Sequence, residues 1–377
     1  MTPRERMMAA IRNGTPDRVP AAPDISNMVP CRLTGKPFWD VYIHRDPPLW
    51  RAFIDAVDHL GVDGWFTYGR LEWEFEEDFE TTAQTLSETE ERVVRRSTTR
   101  TPHGEAVSET TYFVADSPTV TRRPIGDVAA QIEMWEALSP EPVGFRTDLL
   151  DEQREALGEK GALGVSVGVP GFQNWVYEVE GGVEALTYAW MDHPDMLERI
   201  RERQHRRYVR MAEMVCRAKP DFILTGGSGS LTLQSPELFR EYSLPTLKEI
   251  CRIAAAAGVA TMVHSCGREY ELVKMCAEET ELDCINPLEI PPMGDCDLAE
   301  LKREFGGRIA LMGNLHTTDV MLNGSRDDVL DASRACIEAA GGRGGFLLST
   351  GDQCGRDTPD ENIRAMVEAC ETWGRYE

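Results

Sequence analysis

The stretch "SPELFREYSLPTLKEICRIAAAAGVATMVHSCG", residues 235–267, contains one complete helix-to-strand unit. Ser235 and Pro236 are typical of a helix start, because serine caps the N-terminus and proline suits the first turn. Gly258 ends the helix, and the apolar run 259–265 that follows predicts a buried strand. The unit therefore predicts an α/β protein in which helices cover the strands.

Seven further apolar runs of strand length alternate with helix-length segments along the chain. The eight predicted strands cover residues 18–24, 62–69, 161–169, 221–227, 259–265, 282–289, 308–314 and 345–350. Eight parallel strands, each followed by a helix, predict a (β/α)8 TIM barrel, here as a single domain over residues 1–377.

The chain is roughly a hundred residues longer than such a barrel needs. We place the excess at residues 70–125. Within it, "EERVVRRSTTRTPHGEAVSETTYFV" (90–114) has β-forming residues on both sides of a Pro-His-Gly turn. This pattern predicts an antiparallel β-hairpin that is inserted after the second strand and lies near one mouth of the barrel.

Composition excludes several classes of protein. No run approaches the roughly 18 consecutive apolar residues of a membrane span. The net charge of −24 argues against a nucleic-acid partner, because there is no basic surplus to displace counterions. The N-terminus "MTPRERMMAAIRNG" lacks the apolar core of an export signal, so we expect the ten cysteines to be reduced thiols in the cytoplasm.

A set of metal-ligating side chains is predicted at the C-terminal ends of the strands. His264 and Cys266 point to the same side of the fifth strand, because strands alternate with a period of two. Cys354 lies in the loop after the eighth strand, and Glu289 lies just past the sixth. Zinc accepts all of these ligand types, so the sequence predicts a zinc site rather than unrelated core residues.

The charge of this ligand set limits its chemistry. Two thiolates cancel the charge of Zn²⁺, so a bound water is acidified less than in an all-histidine site, and hydrolysis is not the natural reaction. Such a centre can keep a bound thiolate nucleophilic. It can also hold the oxygen of an ether or alcohol while an external nucleophile takes the methyl group. Glu289 is then a replaceable fourth ligand and the candidate catalytic residue.

Several segments together resemble the uroporphyrinogen decarboxylase superfamily. They are "TPRERMMAAIRNGTPDRVP" (2–20), "SPELFREYSLPTLKEI" (235–250), "HSCG" (264–267), "NPLEIPPMGDCDLAELKREFGGRIALMGN" (286–314) and "LSTGDQCGRDTPDENI" (348–363). The resemblance covers nearly the whole chain and implies a TIM barrel. Within the superfamily, the chain is similar to the branch of zinc- and cobalamin-linked methyltransferases.

This resemblance implies a zinc site and a protein partner. The H-x-C…C zinc ligands of those methyltransferases fall on His264, Cys266 and Cys354. The chain has no D-x-H-x-x-G loop that would bind a corrinoid, so the cobalamin is expected on a separate corrinoid protein. The decarboxylases carry an arginine-rich stretch after the first strand, whereas "APDISNMVPCRLTGKP" (22–37) has only Arg32 and Lys36. A porphyrin with several carboxylates would be poorly held there.

Two directions of methyl transfer compete at this stage. The first moves a methyl group from a methoxy compound or methylated amine to Co(I). The second moves it from methylated cobalamin to a thiol or to tetrahydrofolate. A zinc-binding scaffold without activity is a third reading. Aromatic residues near the predicted strand ends favour demethylation, because they suit a methoxylated ring or a methylammonium group. They are Trp65, Phe66, Tyr68, Trp73, Phe172, Trp175 and Tyr177.

Polar and aromatic residues at the strand ends are the candidate substrate contacts. They are Asp24, Tyr68, Asn174, Trp175, Ser228 and Asn314. The expected partners are thus a corrinoid protein and a small methylated substrate, with neither nucleic acid nor membrane, and the chain is a candidate homodimer.

Overall fold

The computed structural model describes residues 1–376. The quoted stretch 235–267 folds as its sequence predicts. The side chain of Ser235 accepts the backbone N–H of Leu238, and the helix runs through a π-helical turn, Phe239–Ser243, into a regular helix that ends at Gly258 with φ of 73°. The next strand covers Ala260–His264.

Strands form from the short apolar runs and also from more polar segments such as residues 81–88. They are β1 (Gly64–Gly69), β2 (Glu72–Phe75), β3 (Thr81–Glu88), β4 (Arg92–Thr101), β5 (Gly104–Phe113), β6 (Thr119–Arg122), β7 (Pro142–Arg146), β8 (Gly161–Ser166), β9 (Phe222–Gly226), β10 (Ala260–His264), β11 (Cys284–Asn286), β12 (Ala310–Leu315) and β13 (Phe346–Thr350). Seven of them form one parallel sheet in the order β1-β8-β9-β10-β11-β12-β13. Each of these seven coincides with one of the predicted strands.

Helices alternate with these strands. They are α1 (Pro3–Ile11), α2 (Met28–Leu33), α3 (Leu49–Leu60), α4 (Ile132–Ala137), α5 (Asp148–Leu157), α6 (Phe172–Trp175), α7 (Gly182–Asp192), α8 (Pro194–Ala218), α9 (Pro236–Leu238), α10 (Leu244–Ala257), α11 (Tyr270–Glu279), α12 (Leu298–Phe305), α13 (Arg326–Ala340) and α14 (Asp360–Trp373). Further π-helical turns lie at Asp40–His44 and Thr317–Leu322. None of the helices within residues 1–376 has the length and apolar character that crossing a membrane requires.

The predicted first strand, residues 18–24, is wrong as a regular strand. Pro20 and Pro23 have no N–H to donate, so a continuous ladder cannot form. Ala22 instead donates its N–H to the oxygen of Leu348 over 2.8 Å, and the oxygen of Ala21 accepts the N–H of Asp63 over 2.9 Å. Residues 20–22 thus bond to β13 on one side and to the residue before β1 on the other.

The side chains on one face of the parallel sheet pack against one another and against α1. This inner cluster includes Trp65, Phe222, Met262, Met312 and Leu347, all nearly or fully buried. The facing positions of β8 must be small to make room for them. A Cβ at Gly164 would lie 2.3 Å from the ring of Phe222, so only glycine fits there. A larger apolar cluster joins the opposite face of the sheet to the surrounding helices.

The inserted residues form more than a single hairpin. Strands β3, β4, β5 and β6 make a four-stranded antiparallel sheet, with the predicted hairpin as its central pair β4–β5. The segment after β5 bonds to loops that follow β13 and residues 18–24. Ser117 Oγ donates to Asn27 Oδ1 over 3.1 Å, and Arg356 donates to the oxygen of Ala115 over 3.0 Å. The insertion therefore lies against the C-terminal ends of the strands.

A buried carboxylate joins the N-terminal segment to β1. Asp63 is 2% exposed. It accepts hydrogen bonds from Arg6 Nη1 over 2.6 Å, from Arg18 Nη1 over 3.0 Å and from the N–H of Ala21 over 2.9 Å. Because all three donors lie in the first 21 residues, this one carboxylate holds residues 20–22 in the gap between β13 and β1.

We expect Asp63→Ala to lower the free energy of unfolding by roughly 3–5 kcal/mol, because it leaves Arg18 without a counter-charge and Arg6 with Asp17 alone. A matched control is Asp58→Ala, which removes the exposed pair Asp58–Lys160 and should cost less than about 1 kcal/mol. Urea titration of both variants measures the difference. Equal effects in the two variants would contradict the role of Asp63.

Candidate metal centre

The parallel register of β9, β10 and β11 aligns the residues at their C-terminal ends. His264 pairs with Gly226 on one side and with Asn286 on the other. The side chain of His264 lies on the same face of β10 as Met262, two residues back, and Ala260, four residues back, both in the inner cluster. The imidazole therefore stands directly above the packed interior, at the mouth formed by the strand ends.

Asn286 sets the orientation of the His264 imidazole. The Nδ1 atom of His264 lies 2.7 Å from Asn286 Oδ1. An amide oxygen can only accept, so Nδ1 carries the proton and Nε2 presents a lone pair. The same arrangement orients metal-binding histidines, because an outer hydrogen bond fixes the tautomer. The sequence analysis did not identify Asn286, although its place at the end of the adjacent predicted strand was a usable signal.

The Cys266 thiol lies next to the free nitrogen of His264. Its Sγ is 3.3 Å from His264 Nε2 and 3.4 Å from Ser228 Oγ, so the structure brings Ser228 to the site as well. Burial raises the pKa of the Cys266 thiol well above its usual range, and the nearby Asp352 carboxylate adds to the effect. The thiol is therefore protonated unless a cation compensates its charge.

Asp352 completes a group of three possible ligands. One ligand atom each from His264, Cys266 and Asp352 lie within 4.8 Å of one another, and the carboxylate is 4.0 Å from His264 Nε2. Asp352 has a φ of 107°, which is strained for any residue other than glycine. The sequence analysis missed Asp352, although it lies two residues before Cys354 in the same predicted loop.

Cys354 is placed beside this group but is not part of it. The residue is fully buried, and its backbone N–H donates to the oxygen of Asp24 over 2.7 Å. Burial raises the pKa of its thiol to about 12, and the Asp24 carboxylate contributes. The loop 350–354 thus supplies two candidate ligands, of which Asp352 lies nearer to His264.

Three carboxyl groups act electrostatically on the site. Asp24 is 6% exposed, and burial raises its pKa, whereas His264 opposes that shift. Glu289 accepts the backbone N–H of Gly267. Burial also raises the pKa of Glu289, Asp352 reinforces the shift, and the imidazoles of His264 and His316 oppose it. With Asp352, these residues make the mouth strongly acidic.

The other predicted substrate contacts lie further away or are already bonded. The hydroxyl of Tyr68 donates to the oxygen of Ser26. Burial, and to a smaller extent the Asp24 carboxylate, raises the pKa of Tyr68. The amide of Asn174 donates to the oxygen of Val169 over 2.6 Å. Trp175 is fully buried in a second apolar cluster and donates to Gln204 over 2.7 Å. Asn314 donates to the oxygen of Leu288 over 2.9 Å.

Most of the aromatic residues do not gather at the mouth. Phe172 and Trp175 belong to the second cluster, Trp73 packs on Phe145, and Tyr177 is exposed. Trp65 is the aromatic residue that contacts His264, with ring centroids 6.1 Å apart. Its buried indole N–H has no hydrogen-bond partner among residues 1–376.

The separation of the nitrogen and sulfur donors suits a tetrahedral zinc ion, whereas the Asp352 oxygen, 4.0 Å from His264 Nε2, would have to move closer. Zinc bonds of typical length to nitrogen and sulfur, at a tetrahedral angle, place the two donors about 3.5 Å apart. The observed separation of His264 Nε2 and Cys266 Sγ is 3.3 Å. One thiolate and one carboxylate with a neutral imidazole would balance the charge of the ion.

Comparison with known proteins gives the family. The family model of uroporphyrinogen decarboxylase (URO-D) matches residues 103–373, which is more than two thirds of the chain. A solved structure titled methyltransferase from Methanosarcina mazei superposes with a TM-score of 0.63 over 98% of both chains, at 18% identity. At that identity the likeness shows the fold.

Curated relatives match shorter parts of the chain. A methylated-thiol–coenzyme M methyltransferase of Methanosarcina mazei is 29% identical over 147 residues, covering 39% of this chain and 36% of the relative. A methylcobamide:CoM methyltransferase of the same organism is 27% identical over 149 residues, covering 40% of each. The chain therefore aligns with less than half the length of these two relatives.

We expect the protein, purified under reducing conditions, to carry about one zinc ion per chain. Cys266→Ala should lose the ion, because the ligand is removed from a loop without loss of core packing. The matched control is Cys336→Ala on α13, a thiol outside the site that should keep full occupancy. Atomic emission on the folded variants measures the content. Zinc retained in Cys266→Ala would contradict the site.

The loop 350–354 allows a second comparison. If Asp352 supplies the third ligand, as its distance to His264 indicates, Asp352→Asn should weaken zinc binding by roughly 10- to 100-fold or more, and Cys354→Ala by less. If Cys354 turns toward the ion, the order is reversed. Competition with a chromophoric chelator measures both affinities. Unchanged affinity in both variants would exclude the loop as a source of ligands.

Proposed function

The chain belongs to the uroporphyrinogen decarboxylase family, and we propose that it is a zinc-dependent methyltransferase within that family. It would move a methyl group from a small methylated molecule to the Co(I) cobalamin of a separate corrinoid protein. The observation that carries the proposal is the group His264, Cys266 and Asp352, with Asn286 bonded to the histidine. The names of two relatives, which are methyltransferases acting on thiols and cobamides, support methyl transfer as the class of reaction.

The residues that would hold zinc are His264, Cys266 and one ligand of the loop 350–354. That third ligand is Cys354 in the family resemblance and Asp352 by proximity. Glu289 is the proposed replaceable ligand, because its carboxylate lies at the same mouth and bonds the N–H of Gly267, next to Cys266. Zinc would supply a Lewis acid that polarises the heteroatom carrying the methyl group.

Decarboxylation of a porphyrin is the poorer alternative. A substrate with several carboxylates needs free cationic side chains near the mouth. The two cations of residues 22–37 are both paired: Arg32 lies 2.5 Å from Asp360, and Lys36 lies 2.7 Å from Asp46. The carboxylates of Asp24, Glu289 and Asp352 would also repel such a substrate.

The acidic mouth favours a neutral or cationic methyl donor. Even with a divalent cation and one thiolate at its centre, three carboxylates leave the site negative. A methylated amine is then attracted and a methoxy compound is tolerated, whereas an anionic acceptor is disfavoured. The ring of Trp65 beside His264 offers such a donor an aromatic surface.

Transfer of the methyl group from methylated cobalamin to a thiol is the second candidate. The names of the relatives support it, because both describe reactions of coenzyme M. The Ser228 hydroxyl beside Cys266 could also receive a neutral thiol. Transfer to tetrahydrofolate and a scaffold without activity are the remaining alternatives, which the assay below separates.

The proposal includes the setting of the reaction. A full barrel, with residues 20–22 in the eighth position, is supported by their bonds to Leu348 and Asp63. The antiparallel insertion against the strand ends would act as a lid and contact the corrinoid protein.

All ten cysteines are free thiols, which supports a reducing cytoplasm as the compartment. A homodimer remains a prediction.

We expect the zinc-loaded protein to methylate a reduced corrinoid protein when it is given a methoxyphenol or a methylated amine. The loss of the Co(I) absorbance measures the reaction. Cys266→Ala should abolish it, and Cys336→Ala should leave it unchanged. Glu289→Gln should lower the rate more than the zinc content if the carboxylate is replaceable.

The reverse assay tests the alternatives. Methylated corrinoid protein is mixed with the enzyme and with a neutral thiol, an anionic thiol or tetrahydrofolate. Demethylation by a thiol much faster than any donor reaction would overturn the proposed direction. The absence of methyl transfer in both directions would indicate a zinc-binding scaffold without activity.

A further inference from the structure

His316 stands at the mouth without a role in the zinc group. It follows Leu315, the last residue of β12, so it lies at the C-terminal ends of the strands. Its side chain is 14% exposed. The imidazole is close enough to Glu289 to oppose the rise in the pKa of that carboxyl group, as the imidazole of His264 does.

Two backbone amides occupy one nitrogen of the His316 ring. Nδ1 accepts the N–H of Thr318 over 3.2 Å and the N–H of Asp319 over 2.9 Å. It thereby caps the helical turn Thr317–Leu322. A nitrogen that accepts hydrogen bonds carries no proton, so the proton of the neutral ring must be on Nε2.

The Nε2–H group is free to donate. It lies on the opposite side of the ring from the amides of Thr318 and Asp319, and no side chain or backbone group of residues 1–376 accepts from it. The oxygen of Leu315 accepts the N–H of Gly351 over 2.7 Å, so His316 lies beside the loop that carries Asp352, and Glu289 is a further acceptor at the same mouth. A fixed N–H donor is therefore a scarce group at this mouth.

We propose that His316 is a catalytic residue whose Nε2–H donates a hydrogen bond to the ether oxygen that carries the methyl group of a methoxy substrate. This inference rests on the proposed function and adds a residue to it. A molecule held at His264 and Cys266, next to Glu289, would present its heteroatom to the N–H of His316. Because Nδ1 accepts the N–H groups of Thr318 and Asp319, the ring proton stays on Nε2.

The chemistry requires such a donor at this atom. In transfer from a methoxy compound, the bond between the methyl carbon and oxygen breaks, and its electron pair stays on oxygen. The methyl carbon forms its new bond with the electron pair of Co(I), which is formally oxidised by two electrons. A hydrogen bond from a neutral imidazole stabilises the charge that develops on oxygen. The imidazole keeps its proton, and water supplies the proton that completes the alcohol.

Two substitutions separate donation from capping. In His316→Asn the short amide oxygen can still accept from Thr318 and Asp319, because asparagine is a good helix cap, but nothing reaches the position of Nε2–H. In His316→Gln the longer amide can place an N–H near that position, but the cap is lost. The first variant tests the donor, and the second tests the cap.

We expect His316→Asn to keep the wild-type zinc content and urea midpoint while kcat/KM for demethylation falls about 100-fold. His316→Gln should show the reverse pattern, with a lower urea midpoint and activity above that of His316→Asn. Nitrogen-15 NMR of histidine-labelled protein, without corrinoid or substrate, should show Nε2 protonated and Nδ1 unprotonated.

Each outcome decides one point. Wild-type activity in His316→Asn would overturn the role of His316 and leave the proposed function intact. A proton on Nδ1 would overturn it as well. A wild-type enzyme that is silent with every methyl donor would remove the proposed function, and the inference with it.

Discussion

The in-register parallel pairing of β9, β10 and β11 is the constraint on which the site depends. It places Gly226, His264 and Asn286 in one row across the sheet. Backbone hydrogen bonds hold that row, so the imidazole and the amide meet at hydrogen-bond distance without any contribution from the loops. The residues two or three positions further along, Ser228, Cys266 and Glu289, then reach the same mouth.

The site concentrates groups that are expensive to bury together. Burial alone raises the pKa values of Cys266, Asp24 and Glu289, so the ionised forms are unfavourable in the absence of a cation. The strained backbone of Asp352 adds a further cost. Several groups with shifted pKa values at one place, above a well-packed interior, are typical of a functional centre. A divalent cation would reverse the preference of each of these groups.

The family contains decarboxylases and methyltransferases on one fold, so the side chains at the mouth must distinguish them. Arg32 and Lys36, the two cations of residues 22–37, are engaged in ion pairs, and carboxylates surround His264. The carboxylates at the mouth thus repel anions, and the net charge of −24 on the whole chain acts in the same sense. The antiparallel insertion bonds to the loops at the same mouth as the candidate metal ligands.

The sequence by itself determined the seven parallel strands, the helix of residues 235–258 and the shared direction of His264 and Cys266. These features depend on local periodicity and on capping residues, which are visible in the order of amino acids. The sequence failed at residues 18–24, where prolines prevent a ladder. Only the tertiary structure brought Asp352, Asn286 and His316 to the site. Their placement depends on loop dihedral angles and on the register between strands that are distant in the chain, and periodicity within one strand carries no information about either.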